Sequence, residues 1–451
     1  MTVPGWLQTL LAVTLLWVGA GSSAHAGEAP RRLVLAHYMA CCPFAGPDAS
    51  VTDLSAEIAM AASAGIDGFS VNFGAYRAEP HYQRIIARLF EAATSFPEFH
   101  LLLSFDQMDA AEAIEIASLY AAHPSSLRAG GDLVVSGFGL SPSWAEAFTA
   151  GLGRRGIPVR LVPDILTGGC GIVRRVLGCG SELAARRRIL REAPSLAGLF
   201  TFGAGRPYDE LAAELRAVTS LLVRRNQIHM AGISPFYRGL ATNARVFESS
   251  GFAGMSQLWM AAIESGTPWV QLVTWNDWNE ATYLRPFDRP LVTVWRDHPA
   301  WQRLPDHGAY LRASRYYMEW FKSGRPPTIA RDELFYFYRP HPKTAEGVID
   351  FTPERRGRPS HVETLTDAVH LATFLTAPAE LSIRIGAKTH DVVVPTGPGL
   401  VSVPLSQGDV AVELRRHGSP SMTAALPIPI SRFAMPGNFN YLSGDVVLEP
   451  R

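Results

Sequence analysis

Cysteine is scarce in this chain of 451 residues: it occurs four times, as Cys41, Cys42, Cys170 and Cys179. No CxxC pair and no HExxH helix occurs, so the spacings that hold zinc are missing and no metal site is expected. Net charge is also missing, with 41 Lys and Arg against 41 Asp and Glu. No basic stripe alternates with aromatics, which excludes an ordinary nucleic-acid surface. A GxSxG elbow is absent, because "GISPF" carries Phe236 where the second glycine belongs, and a serine triad loses its support. No GxxxxGK[ST] loop offers a phosphate cradle. The glycines of "GLGRRG" (151 to 156) follow a helical pattern and precede a strand-like one, the reverse of a dinucleotide loop, and are read as a helix ending.

Long apolar runs are confined to the start. "LQTLLAVTLLWVGA" leads into "SSAHA", which sets Ala24 and Ala26 in an A-x-A pattern before Gly27. Residues 1–26 are therefore expected to be a secretory signal, and the mature chain to be secreted or periplasmic. The run is short for a span of about 20 residues, and no later segment looks transmembrane, so no membrane span is expected after cleavage. Four cysteines fit that oxidising compartment, with three pairings formally possible. Cys170 with Cys179 would close the loop "CGIVRRVLGC". Adjacent Cys41 and Cys42 are expected not to pair with each other, because disulfide Cα atoms usually stand farther apart than one peptide bond allows.

What is present is a repeated β/α rhythm. Short apolar runs occur at 32–38, 65–73, 99–106, 132–138, 157–164, 196–202, 227–234 and 268–277. Between them lie segments such as "EPHYQRIIARLFEAATSF" and "YDELAAELRAVTSLLVRR", with apolar residues at i, i+3 and i+4. Eight near-continuous apolar strands, each followed by an amphipathic helix, predict an α/β chain folded as a (β/α)8 TIM barrel, preferred over a doubly wound open sheet. After the helical "HGAYLRASRYYMEWFKSG" the composition changes at "RPPT" (325 to 328), and the chain then alternates with frequent turns, as in "AELSIRIGAKTHDVVVPTG". The expected organisation is a signal peptide at 1–26, a catalytic barrel at 27–326 and a C-terminal antiparallel β-sandwich-like domain at 327–451. That last domain is expected to give the barrel packing support.

A barrel places its chemistry at the carboxyl ends of its strands. There the sequence carries His37 and Tyr38, Asn72, Asp106, Asp164, Ser234, and Asn276 with Asp277. Singly, such residues cap helices or make turns; their convergence on one face is what suggests a site. The last run continues as "VTWNDWNEATYL", which sets Asp277 and Glu280 among Trp275, Asn276, Trp278, Asn279 and Tyr283. Cleaving a glycosidic bond needs one protonated carboxyl to serve the leaving oxygen and one ionised carboxyl to activate water. The rings can stack on sugar faces, the amides can bond hydroxyls, and apolar walls would part the two pKa values. The alternative is a turn in which Asp277 caps a helix and Glu280 completes a capping box.

These segments resemble glycoside hydrolase family 71, the α-1,3-glucanases or mutanases. "LVLAHYM", "EIAMAASAGIDGFSVNFG", "LLLSFD", "GISPFY" and "VTWNDWNEATYL" carry the likeness, with "FYFYRPHPK" and "NFNYL" in the C-terminal part. The resemblance implies an inverting hydrolase of α-linked glucan that needs no cofactor, with Asp277 and Glu280 as the catalytic pair. Glu280 is expected as acid and Asp277 as base. His37, Tyr38, Asn72, Asp106, Asp164, Trp275, Asn276, Trp278 and Tyr283 are the expected substrate contacts. Asn279 stands where the family has glycine, Ala281 where it has serine, and Trp278 where it has a smaller aromatic, which leaves the acids intact and bears on substrate preference. The motif is also similar to that of the family 99 endo-α-mannosidases. An enzyme acting on α-mannan or on the cell's own exopolysaccharide, and a non-catalytic glycan-binding barrel, stay open as alternatives. The expected partner is an α-glucan or related polysaccharide, and a monomer is expected.

Overall fold

The structure is a computed structural model that describes residues 32–166, 182–240, 243–291, 294, 295, 297, 298, 300–347, 358–434 and 439–450. The expected signal peptide and the Cys170–Cys179 pairing lie outside these residues. Residues 32–451 form one compact unit.

The strands fall where the apolar runs are: β1 Leu33–Met39, β2 Gly68–Phe73, β3 His100–Asp106, β4 Asp132–Leu140, β5 Val159–Leu161, β6 Gly198–Thr201, β7 Ile228–Ile233 and β8 Trp269–Leu272. They run three to nine residues, because strands covered on both faces need only a few apolar residues to cross the core. All pair in parallel, in the order β5, β4, β3, β2, β1, β8, β7, β6, so the first strand lies beside the last. Two backbone bonds cross the remaining seam, from Ala197 N–H to Leu161 O at 3.0 Å and from Phe200 N–H to Pro163 O at 2.9 Å. The sheet is therefore strongly curled. Gly68 is required at its place in β2, since a Cβ there would stand 2.2 Å from the carbonyl oxygen of His100 on β3.

Helices α1 Val51–Ser63, α2 Pro80–Ala93, α3 Ala110–Tyr120, α4 Pro142–Arg154, α5 Glu182–Glu192, α6 Tyr208–Val223, α7 Ala253–Ser265 and α8 Gly308–Ser323 cover the outside of the curl. Local chemistry sets their starts. Ser50 and Asp53 form a reciprocal capping box on α1, Asp109 caps α3, and Ser141 caps α4. Side chains alternate along each strand, so Leu33 and Leu35 meet Leu102, Val134, Phe200, Met230 and Trp269 inside the curl. Val34, Ala36 and Tyr38 face the helices instead.

Beyond α8 the chain is antiparallel. Strands β9 Glu333–Tyr338, β10 Ala368–Leu375, β13 Gly397–Pro404 and β16 Leu442–Asp445 make one sheet in the order β13, β10, β9, β16. A second contains β11 Ala379–Ile385, β12 Lys388–Val394, β14 Val410–Arg415 and β15 Met422–Ala425. Leu334, Tyr336 and Tyr338 of β9 share an apolar cluster with Leu381, Ile383 and Val412 of the second sheet. Phe335 and Phe337, on the opposite face of β9, join the core of the curled sheet. Phe337 stacks on Phe252 and packs against Tyr310 of α8 at 4.5 Å between ring centroids. The two-residue period of β9 thus serves two cores at once.

Candidate active site

The stretch after β8 does not continue as a helix. It folds back on itself: Thr274 N–H donates to Thr282 O at 2.8 Å, and Leu284 N–H donates to Thr274 O at 3.0 Å. Ala281, at φ 52°, turns the chain in the left-handed region. The loop that follows β7 ties it down from outside, through Arg238 N–H to Glu280 O at 2.9 Å and Leu240 N–H to Asn279 O at 2.7 Å.

Within this loop the acids and the rings go opposite ways. Asp277 and Glu280 are partly exposed, whereas Trp275, Trp278 and Tyr283 are 0%, 1% and 0% exposed. Trp275 donates its Nε1–H to Glu57 at 2.9 Å. Trp278 packs among Phe44, Tyr283 and Phe287 and donates to Cys42 O at 3.0 Å. Tyr283 stacks on His307 and donates to Pro305 O at 2.5 Å. These rings have no free face for a sugar, so the expected stacking role is corrected to one of wall and support. Asn276 is corrected likewise: its amide is consumed by Met39 N–H at 2.7 Å, Met39 O at 3.0 Å and Cys42 O at 2.9 Å.

The capping-box alternative is half realised. Glu280 N–H donates to Asp277 Oδ1 at 3.0 Å, as a cap would require. The carboxylate of Glu280 turns away instead, and its Oε1 accepts from Tyr237 O–H at 2.8 Å and from Asn243 Nδ2 at 3.2 Å. Arg245 Nη2 reaches the Tyr237 hydroxyl at 3.3 Å and its guanidinium lies over the Tyr237 ring. Burial and then the neighbouring Glu280 charge push the Asp277 carboxyl up to about 7. Burial also raises Glu280, while the Tyr237 hydroxyl and the Arg245 charge oppose it. Burial thus favours the protonated form of both carboxyls, and at Asp277 the Glu280 charge adds to it.

The other expected contacts divide. Asp106 stays partly exposed at the end of β3, raised by burial and hydrogen-bonded to Asn72 and Gln107. His37 is nearly enclosed inside the curl between Phe200 and Phe202, with Gln271 Nε2 at 2.8 Å from its Nδ1. Burial lowers it to about 3, so the imidazole is neutral. Tyr38 is corrected, since it points outward onto Phe69 and is fully buried. Asp164 is corrected too: it accepts from Arg186 Nη1 at 3.2 Å and Phe202 N–H at 3.1 Å, inside an ion network that includes Glu214.

Cys41 and Cys42 are disulfide-bonded to each other, with Cα atoms 3.7 Å apart, contrary to the expectation. The usual Cα range describes bridges between distant residues, and adjacent cysteines close a small ring across their own peptide instead. Three residues that matter escaped the sequence reading: Tyr237, Asn243 and Arg245, which gather on Glu280 only through folding. Glu57 escaped as well, although a signal for it exists. It sits among Leu54, Ile58 and Ala61 on the buried face of α1, where an unpaired carboxylate is costly.

The model of glycosyl hydrolase family 71 matches residues 30–449. The chain belongs to glycosyl hydrolase family 71. It is 24% identical over 427 residues to a mutanase of Penicillium rubens, covering 92% of this chain and 88% of that protein. It is also 24% identical over 420 residues to a glucan endo-1,3-alpha-glucosidase of Schizosaccharomyces pombe, covering 87% and 88%. A family 99 endo-alpha-mannosidase structure from Bacteroides thetaiotaomicron superposes with a TM-score of 0.49 at 14% identity, over 64% of this chain and 97% of that one. As a family 71 member the chain is a glycoside hydrolase. Two departures from the family motif now have positions. Asn279 is exposed and accepts from Trp301 Nε1 at 2.9 Å, and Ala281 is fully buried, out of reach of a ligand.

Proposed function

We propose that this family 71 enzyme is secreted through its first 26 residues and hydrolyses α-1,3-glucan with inversion at the anomeric carbon. In this reading the curled sheet is a (β/α)8 barrel over 27–326, the C-terminal sheets are a sandwich over 327–451, and the substrate lies across the carboxyl ends of the strands. The observation that carries it is the pair itself: in the strand-eight loop the two acids keep exposed surface while the rings are buried, and burial together with the Glu280 charge raises Asp277. Inversion needs room for a water between two carboxyls, roughly 6.5–9.5 Å.

The electrostatics favour an order of roles opposite to the one expected from the sequence. Tyr237 and Arg245 support an ionised Glu280, and burial keeps the proton on Asp277. Asp277 then protonates the leaving oxygen while Glu280 draws a proton from the attacking water. Asp106 with Asn72, at the neighbouring strand ends, would bond sugar hydroxyls.

Reducing ends released from α-1,3-glucan, α-1,4-glucan and α-mannan test the substrate. Turnover on the first alone supports the reading; turnover only on the mannan moves the enzyme to the alternative substrate class. An α-glucoside with a good leaving group tests the roles, because it needs no acid. Asp277→Asn should keep substantial activity on it and Glu280→Gln should lose about 10²-fold or more. The opposite pattern restores Glu280 as the acid.

A further inference from the structure

The turn after β1 is closed by the Cys41–Cys42 disulfide and touches both neighbours of Asp277. Met39 N–H donates to Asn276 Oδ1 at 2.7 Å, and Asn276 Nδ2 donates to Met39 O at 3.0 Å and Cys42 O at 2.9 Å. The same Cys42 oxygen accepts from Trp278 Nε1 at 3.0 Å. One carbonyl thus anchors the residue before Asp277 and the residue after it. The turn itself is held by Cys42 N–H to Met39 O at 3.1 Å and Ala40 N–H to Asn72 O at 3.0 Å.

We propose that the Cys41–Cys42 disulfide is a positioning element for Asp277, restraining the turn that presents the Cys42 carbonyl to Asn276 and Trp278 together. Bridging adjacent residues restrains ψ of Cys41 and φ of Cys42, which places the carbonyl carbon of Cys42, and the turn's own backbone bonds limit the rotation that is left, so fewer positions of the acceptor are open before substrate arrives. The buried Asn276 amide and Trp278 indole have few other partners to turn to, and losing a shared acceptor loosens both at once. Asp277 lies between them, and a displacement of about 1 Å in a reacting group can cost about 10²-fold in rate. Both cysteines are partly exposed, so a reductant can reach the bridge. The catalytic part of the inference rests on the glucanase reading above; the structural part does not.

The test uses the full-length oxidised protein, the same protein treated with a water-soluble trialkylphosphine, and the Cys41→Ser, Cys42→Ser double variant. The phosphine converts the disulfide to two thiols and becomes its oxide, taking the oxygen from water. Soluble carboxymethylated α-1,3-glucan gives kcat, KM and the pH profile. The exchange of the Trp278 indole N–H, assigned by its absence in Trp278→Phe, is followed by nitrogen-15 NMR. Reduction and the double variant should each lower kcat about tenfold, leave KM within about twofold, move the alkaline limb of the profile and speed indole exchange about tenfold. Phosphine should have no further effect on the double variant, which separates Cys41–Cys42 from Cys170 and Cys179. Unchanged kcat with unchanged indole exchange overturns the proposal, and so does a fall in Tm with neither of the others. If the oxidised wild type hydrolyses no α-1,3-glucan, the glucanase reading fails, and indole exchange still decides whether the bridge holds the loop.

Discussion

Asn276, Asp277 and Trp278 are consecutive, yet only the middle one keeps exposed surface, because its neighbours spend their polar atoms on the turn after β1. That division was not legible in the sequence. Aromatics beside acids suggest sugar stacking, and only the tertiary contacts show that these indoles are consumed as walls. Glu57 was legible in principle, as a charge at core spacing on α1; Asn243 and Arg245 were not, since they come from a loop that carries no pattern of its own, and Tyr237, at the end of "GISPFY", reaches Glu280 only through folding. Three predictions belong to single residues. With Asp277 raised to about 7, kcat/KM should fall about tenfold per unit as pH rises beyond 7, and Asp277→Asn should abolish that limb in a pH series. The same shift acts on stability. The folded state binds the extra proton between the unfolded value near 4 and about 7, so stability falls as pH rises through that window, and Asp277→Asn should raise Tm at pH 8 but not at pH 4. Tyr237→Phe removes a donor to Glu280 and raises its pKa, so the acidic limb should move to higher pH and kcat should fall about tenfold.

At the scale of elements the sequence was a better guide. Continuous apolar runs marked all eight parallel strands, because burial on both faces leaves no polar alternation to confuse the reading. The ends were less well marked. The run at 268–277 yields a strand of only four residues, Trp269–Leu272, since the chain then turns into the loop that carries Asp277 and Glu280. The run at 157–164 yields three residues in β5 and a separate two-residue bridge at Asp164–Ile165, because Pro163 offers no N–H to the ladder. One link between elements invites measurement. Glu248, after β7, accepts from Arg339 Nη2 at 3.2 Å, from Thr366 N–H at 2.6 Å, from Ser250 N–H at 2.6 Å and from Tyr441 O–H, and it joins that loop to the C-terminal sheet. Despite burial, Arg339 and these donors hold Glu248 down at about 2. Its contribution is therefore present above about pH 4.5 and lost as pH falls toward 2. Glu248→Gln should cost about 3–5 kcal/mol at pH 7, read by denaturant unfolding, and the loss should shrink in acid.

For the whole molecule, the change in composition near residue 326 marked a change of architecture and not a separable core. Phe335, Phe337, Ala372 and Phe374 belong to the same apolar cluster as the helices of the curled sheet. Removing residues 327–451 would bare Phe252, Tyr310 and Tyr317 on that side, and the truncated chain is expected to be recovered mainly in the insoluble fraction on expression. The proposed use of the two acids as an inverting pair belongs to the intact molecule. Its most direct test is proton NMR of the anomeric region during the first minutes of α-1,3-glucan hydrolysis by wild type, Asp277→Asn and Glu280→Gln. The account predicts that wild type releases the β-anomer before mutarotation and that both variants release product at least about 10²-fold more slowly. Release of the α-anomer, or a variant as fast as wild type, would contradict it.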